Sequence, residues 1–212
     1  RKILIIKLGA KGDVIRTLPV AKVLKKINKE CEISWVTKDN IRDLLENSPH
    51  IDKLYTLPFS VKEEYDILYN FDIDEEATEL AIRIKAKNKL GFYKDGDFLQ
   101  AFNLGGEYYL NTLFDDETKK TNKKTYQEMM FETAELPYNK EHAEIFLKKE
   151  DMDYAERFCF ANKINKNKLI GIHMGASPRW PSKIWHEENL KKFIKLAQKN
   201  RYQILIFGGP DE

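Results

Sequence analysis

The sequence predicts an α/β protein built on a doubly wound parallel sheet. Three observations carry this. The opening run, residues 2–8, is apolar with little alternation, as in a strand buried on both faces. Strand-like and helix-like segments then follow one another in a β-α-β-α-β order. The first strand also runs into a glycine-bearing loop, Gly9-Ala-Lys-Gly-Asp13, and a helical pattern starts directly after it.

The elements are justified in order. Residues 14–28 place Val14, Leu18, Ala21, Val23, Leu24 and Ile27 at helical spacing, with Lys22, Lys25, Lys26 and Lys29 on the polar face. Residues 32–36 read as the second strand and 40–47 as a helix. Strands follow at 51–57 and 65–71, then a helix at 74–87 opened by the carboxylates Asp72, Asp74, Glu75 and Glu76. A short strand is expected at 89–92. Residues 93–125 hold Gly96, Gly105, Gly106 and a polar run, and read as a surface excursion before a helix at 126–134. Residues 137–149 read as a loop and a strand, with 143–147 apolar.

A second α/β pattern then begins. A connecting helix at 151–162 leads to a strand at Leu169–His173, a loop, a helix at 187–200 and a strand at Gln203–Phe207. One β-α-β unit of about 45 residues buries too little surface to stand alone, since even ~60-residue domains are marginal. The expected domains are therefore 1–150 and an incomplete one at 151–212, with the initiator methionine also missing before Arg1.

Composition bounds the function. The 212 residues carry 36 basic and 34 acidic side chains, a net charge of +2, which does not describe a general nucleic-acid binder. Cys31 and Cys159 stand in no metal or redox spacing and read as reduced thiols. No apolar run approaches a membrane span, and no signal peptide precedes the first strand. His50 and His142 have no ligand spacing, so no metal site is expected.

Three places could carry chemistry. In open parallel sheets, ligands bind where strands hand over to helices at the strands' carboxyl ends. Asp13 occupies such a place, hemmed by Lys7, Lys11 and Arg16. The loop matches neither a dinucleotide nor a P-loop pattern. On local sequence the simpler reading of Asp13 is a helix N-cap. The second place is His173-Met-Gly-Ala-Ser-Pro-Arg-Trp-Pro-Ser-Lys183, where Gly175 allows close backbone approach and Ser177, Arg179 and Lys183 offer donors to a phosphate. A strand–helix loop with packed tryptophans, Trp180 and Trp185, explains it equally well. The third is Arg83-Ile-Lys-Ala-Lys-Asn-Lys89, either a solvated helix end or a patch for an anionic acceptor.

Together these segments resemble glycosyltransferase family 9, the ADP-heptose:lipopolysaccharide heptosyltransferases. Ile3-Leu-Ile-Ile-Lys-Leu-Gly-Ala-Lys-Gly-Asp-Val-Ile-Arg-Thr-Leu-Pro19 is similar to the family's opening strand, Gly-Asp and Thr-Leu-Pro. Tyr65-Asp-Ile-Leu-Tyr-Asn-Phe-Asp72 and Lys89-Leu-Gly-Phe92 resemble the middle of its N-terminal domain. Ile172-His-Met-Gly-Ala-Ser177 with Lys183-Ile-Trp185 resembles its His-Pro-Gly-Ala-Ser and Lys-x-Trp-Pro pattern, and Leu205-Ile-Phe-Gly-Gly-Pro210 its next strand and glycines. Met174 and His186 stand where the family has prolines.

The resemblance implies a GT-B enzyme, two Rossmann-like domains facing a cleft, of which this chain holds the acceptor domain and the start of the donor domain. It implies an inverting transfer of heptose from ADP-heptose to a lipopolysaccharide core acceptor. Asp13 is then the general base. Gly175, Ser177 and Lys183 hold the donor diphosphate, and Lys7, Lys11 and Arg83 contact the acceptor. The expected partners are a nucleotide sugar and a lipid-linked acidic saccharide, with no cofactor, metal or nucleic acid. The expected location is the cytoplasm, peripheral to the inner membrane through transient surface contact. This stretch alone is expected to be inactive. Two alternatives stay open: a non-catalytic α/β module binding a nucleotide or glycan, and a transferase using another nucleotide sugar.

Overall fold

The computed structural model describes residues 1–60, 63–173, 175 and 181–208. The chain divides into two units, Arg1–Phe146 and Leu147–Glu212. In the first, strand β1 (Lys2–Ile6) leads into helix α1 (Lys11–Ile27), followed by β2 (Glu32–Thr37) and β3 (Lys53–Thr56). Then come β4 (Tyr65–Asn70), α2 (Glu75–Arg83), β5 (Ala86–Asp95) and β6 (Phe98–Ala101). Helices α3 (Leu104–Phe114), α4 (Asp116–Thr121) and α5 (Tyr126–Thr133) complete the unit.

The six strands lie in the order β3-β2-β1-β4-β5-β6. The first five are parallel, and β6 returns antiparallel to β5. The period-two alternation of strand side chains assigns β1 to both layers at once. Ile3 and Ile5 enter one core with Val14, Leu18 and Ala21 of α1 and Met130 and Phe131 of α5. Leu4 and Ile6 enter the other with Leu68 of β4 and Ala77, Leu80 and Ala81 of α2. An uninterrupted apolar strand is thus what this position demands.

Several elements differ from the sequence reading. Helix α1 begins at Lys11, three residues before Val14, because the Ala10 carbonyl accepts the amides of Asp13 (2.9 Å) and Val14 (3.0 Å). Residues 39–44 form a 3-10 segment rather than a helix. Helix α2 stops at Arg83, and β5 takes the following residues into register with β4, Tyr65 opposite Ala86 and Asn70 opposite Gly91. Lys89 Nζ donates to the Ala81 (2.7 Å) and Ile82 (2.9 Å) carbonyls, closing the helix end. The Arg83–Lys89 stretch is therefore a helix terminus only at Arg83, in the last turn of α2; its lysines at 87 and 89 sit on a strand. Residues 93–125 are mostly regular, a β5–β6 hairpin followed by α3 and α4. The expected strand at 143–147 does not form. That stretch instead lays Phe146 edge-on against His50, ring centroids 5.9 Å apart, and pairs Glu144 with Lys22.

Two glycines are dictated by packing. Gly91 has φ +96°, and a Cβ there would lie 1.9 Å from the Asn70 carbonyl oxygen. At Gly105 a Cβ would meet the Glu132 backbone oxygen at 2.3 Å, so α3 and α5 touch backbone to backbone.

In the second unit, α6 (Lys149–Ala161) precedes β7 (Leu169–His173), α7 (Glu187–Lys199) and β8 (Gln203–Phe207). Strands β7 and β8 pair in parallel, with α7 as the crossover between them.

Candidate active site at the β1–α1 loop

Strand β1 lies between β2 and β4, so the chain leaves it in opposite directions to its two neighbours. The carboxyl ends of β1 and β4 form the topological switch point, where open α/β sheets bind ligands. Lys7 to Asp13 leave β1 at this point.

The loop is fixed from below by Asp72. Its Oδ2 accepts the amides of Leu8 (2.9 Å) and Gly9 (3.2 Å) and lies 3.2 Å from Lys7 Nζ. Its Oδ1 accepts the Ile73 amide at 3.0 Å. Lys7 Nζ also donates to the Phe71 carbonyl at 3.0 Å. Asn70 continues the network, accepting the Asp72 amide (3.1 Å) and donating to the Phe92 carbonyl (2.7 Å). Burial makes each of these bonds costly to break. Two expectations are corrected here. Asp72 does not open a helix; it is buried, and α2 has its N-cap at Asp74. Lys7 is only 4% exposed and committed to Asp72 and Phe71, so it holds the loop and offers no open contact to an acceptor.

Asp13 is not a cap. It lies in the first turn of α1, whose N-cap is Ala10 without a side-chain hydrogen bond. The Asp13 side chain is 35% exposed and paired with Arg16, one turn on. The Arg16 guanidinium lies over the Tyr126 ring of α5, 4.1 Å from the centroid. Tyr126 stands edge-on to Tyr109 of α3 (5.9 Å), and Tyr109 packs on Phe92 of β5 (5.3 Å). Burial and the neighbouring Tyr126 push the Tyr109 phenol up to about 12. Burial raises the Tyr126 phenol as well. Both therefore stay neutral, and Asp13 is bordered by a guanidinium that lies over the ring of Tyr126, whose hydroxyl is buried.

Lys11 is exposed at the first position of α1, beside this rim. Arg83 is not brought there. It occupies the last turn of α2, the end remote from the β4–α2 loop, and donates to the Phe59 carbonyl at 3.1 Å. The proposed basic face of α1 is also partly consumed, since Lys22 pairs with Glu144 and Lys25 with Asp52. Asp72, Tyr109 and Tyr126 were missed by sequence reasoning. Asp72 carried a usable signal, its place just past a buried strand at a switch point. The tyrosines carried none.

In the second unit, the Gly175 amide donates to His173 Nδ1 at 3.2 Å, just past the end of β7. Lys183 ends a short 3-10 turn, Pro181–Lys183, and is exposed. Trp185 packs on Phe193 of α7, ring centroids 5.2 Å apart. Ser177 lies outside the described residues. Among the described residues no group of three or more His, Cys, Asp or Glu side chains is placed to hold a metal, and no helix is long and apolar enough to cross a membrane.

The sequence model of glycosyltransferase family 9 (heptosyltransferase) matches residues 57–212. The chain belongs to this family. A curated relative, lipopolysaccharide heptosyltransferase 1 of Campylobacter coli, is 35% identical over 107 residues, 44% of this chain and 31% of its own length. The family 9 glycosyl transferase of Veillonella parvula superposes with a TM-score of 0.76 at 21% identity, over 99% of this chain and 63% of its own. E. coli ADP-heptose lps heptosyltransferase II does so with a TM-score of 0.64 at 16% identity, over 100% and 65%. E. coli heptosyltransferase WaaC with ADP-2-deoxy-2-fluoro heptose gives 0.59 at 14%, over 100% and 70%. The chain thus spans about a third of the curated relative and 63% of the first of these structures. The family match includes His173 to Lys183 and begins after the β1–α1 loop, whereas the likeness in fold includes that loop.

Proposed function

We propose that this chain is the acceptor-binding unit and the opening of the donor-binding unit of an inverting heptosyltransferase. It moves heptose from ADP-heptose to a lipopolysaccharide core acceptor. The observation that supports this best is Asp13: a part-exposed carboxylate at a switch point, spared from capping, on a loop pinned by a buried ion pair, in a family 9 chain.

The chemistry follows from those groups. Asp13 takes the proton of the acceptor hydroxyl. The oxygen forms a bond to the anomeric carbon as the bond to the diphosphate oxygen breaks, and ADP leaves with the electron pair. A single displacement of this kind inverts the anomeric centre, as in inverting hydrolysis with water replaced by a sugar hydroxyl. Lys183, Ser177 and the backbone around Gly175 stabilise the charge developing on the diphosphate. Lys11, exposed at the rim, contacts the acidic acceptor. The reaction needs no cofactor beyond the nucleotide sugar. It takes place in the cytoplasm at the inner membrane surface, where a lipid-linked acceptor is presented.

The test is Asp13→Asn in the full-length protein, with ADP release measured from ADP-heptose and a heptose-free lipopolysaccharide acceptor. Removing a general base costs about 10²–10⁴-fold in turnover. Turnover within a few-fold of wild type would overturn the assignment. A wild-type protein that binds the donor without releasing ADP would favour a non-catalytic module.

A further inference from the structure

Asp13 has a partner that the transfer step does not require. Arg16 sits one turn along α1 and pairs with the same carboxylate the acceptor hydroxyl must reach. We propose that Arg16 is an acceptor-operated cover: it holds Asp13 until a carboxylate or phosphate on the acceptor takes the guanidinium away. This rests on the reading of Asp13 as base.

The guanidinium is held in a defined place. Its Cζ lies 4.1 Å from the Tyr126 ring centroid, Tyr126 packs on Tyr109 and Tyr109 on Phe92, so the contact is rooted in the core. Arginine has five N–H donors in a fixed fork. One Nη donates to Asp13 Oδ1, and among the described residues the remaining donors have no partner. The side chain is 50% exposed, so it is open to solvent beside Asp13. The result is a part-exposed guanidinium with uncommitted donors beside the proposed base.

Exchange is easy in this geometry. Exposed ion pairs between near neighbours on a helix are weak. A carboxylate or phosphate approaching the open edge forms two parallel charge-assisted bonds, against the single one made to Asp13. A guanidinium over an aromatic face can keep that contact while it exchanges one hydrogen-bond partner for another. While Arg16 holds Asp13, one carboxylate oxygen is occupied by the guanidinium, and a water or hydroxyl must displace that contact to use it. When an acidic acceptor docks, the same contact that orients it uncovers the base. The cover thus couples activation to the correct substrate and suppresses hydrolysis of the donor. Lysine would serve poorly here, having neither the planar stack nor the fork.

The test uses the full-length protein and has two arms. In the first, inorganic phosphate and acetate are titrated separately, each against chloride at equal ionic strength, while the Arg16 Nε–H and Tyr126 ring signals are followed by NMR. A saturable shift with phosphate or acetate, absent in Arg16→Gln, is expected, and the anion that saturates first identifies the preferred substituent. Shifts equal to the chloride control with both anions would overturn the proposal. In the second, ADP-heptose hydrolysis and transfer are measured for Arg16→Gln and Arg16→Lys. Arg16→Gln should raise the ratio of hydrolysis to transfer about threefold or more, the size a weak exposed pair can supply, with Arg16→Lys in between. An unchanged ratio in Arg16→Gln would overturn it. Asp13→Asn separates the two readings: if that variant keeps its turnover, the base assignment fails, while the anion titration still decides whether Arg16 binds the substituent.

Discussion

Lys7 and Asp72 form a buried ion pair beneath the β1–α1 loop, Nζ to Oδ2 3.2 Å, although 65 positions separate them in the chain. The same carboxylate oxygen accepts the Leu8 and Gly9 amides. The loop that carries Asp13 is therefore fixed by a charge network below it, and its one exposed carboxylate is left for the surface.

Breaking that pair should be costly. Lys7→Met leaves the Asp72 carboxylate buried without its cation, and removing one partner of a buried pair costs about 3–5 kcal/mol. The double variant Lys7→Met/Asp72→Asn should recover part of this loss, because the remaining charge is gone as well. Urea unfolding of the four proteins in the cycle measures both quantities. A loss below about 1 kcal/mol for Lys7→Met would mean the pair is not buried in solution.

Glycine positions make a sharper contrast. Gly91→Ala places a methyl 1.9 Å from a backbone oxygen at φ +96°, so it should destabilise by at least about 2 kcal/mol. Gly96→Ala, at φ +56° with open space around it, should cost only about 1 kcal/mol. Thermal or urea unfolding of the two variants ranks them, and the reverse order would contradict the β4–β5 register.

Stability should fall on mild acidification through His50. Burial, and then the Lys22 ammonium, hold its imidazole below the ordinary 6.5. The unfolded chain therefore binds a proton at a pH where the folded chain does not. Stability is complete above about 6.5 and declines as pH falls from there toward the depressed folded value. Glu144 adds a separate decline further down, because its hydrogen bond to Lys22 holds it below 4.5. In His50→Gln, urea midpoints measured against pH should lose the upper part of this decline and keep the lower.

Lys183→Ala in the full-length protein should weaken ADP-heptose binding about 10–100-fold, the worth of a charge-assisted hydrogen bond. Calorimetric titration of the donor measures it. Unchanged affinity would remove Lys183 from the diphosphate contact.

Much of the site was legible in order but not in depth. Gly9 to Asp13 stood out because a strand handed over to a helix there, and the structure puts it at the switch point. The cap reading of Asp13 failed because the helix starts on the Ala10 carbonyl, a backbone choice that leaves no sequence mark. The basic stretch from Arg83 to Lys89 looked like one patch. Strand pairing of β5 with β4 divides it, sending Lys87 to Asp66 and Lys89 to the end of α2. The strand expected at 143–147 had the composition for one but pairs with none; Phe146 packs on His50 and Glu144 pairs with Lys22 instead.

The sequence by itself determined the parallel α/β class, the place of the first loop and the presence of a carboxylate within it. Periodicity reports which faces of a segment are apolar, and an unbroken apolar run at β1 requires cover on both sides. Only the tertiary structure decided what lies opposite. Asp72 under the loop, Arg16 on the Tyr126 ring and Gly91 against Asn70 each join segments far apart in the chain. Such pairs depend on strand order and register, which set distances between segments and leave no period in either of them.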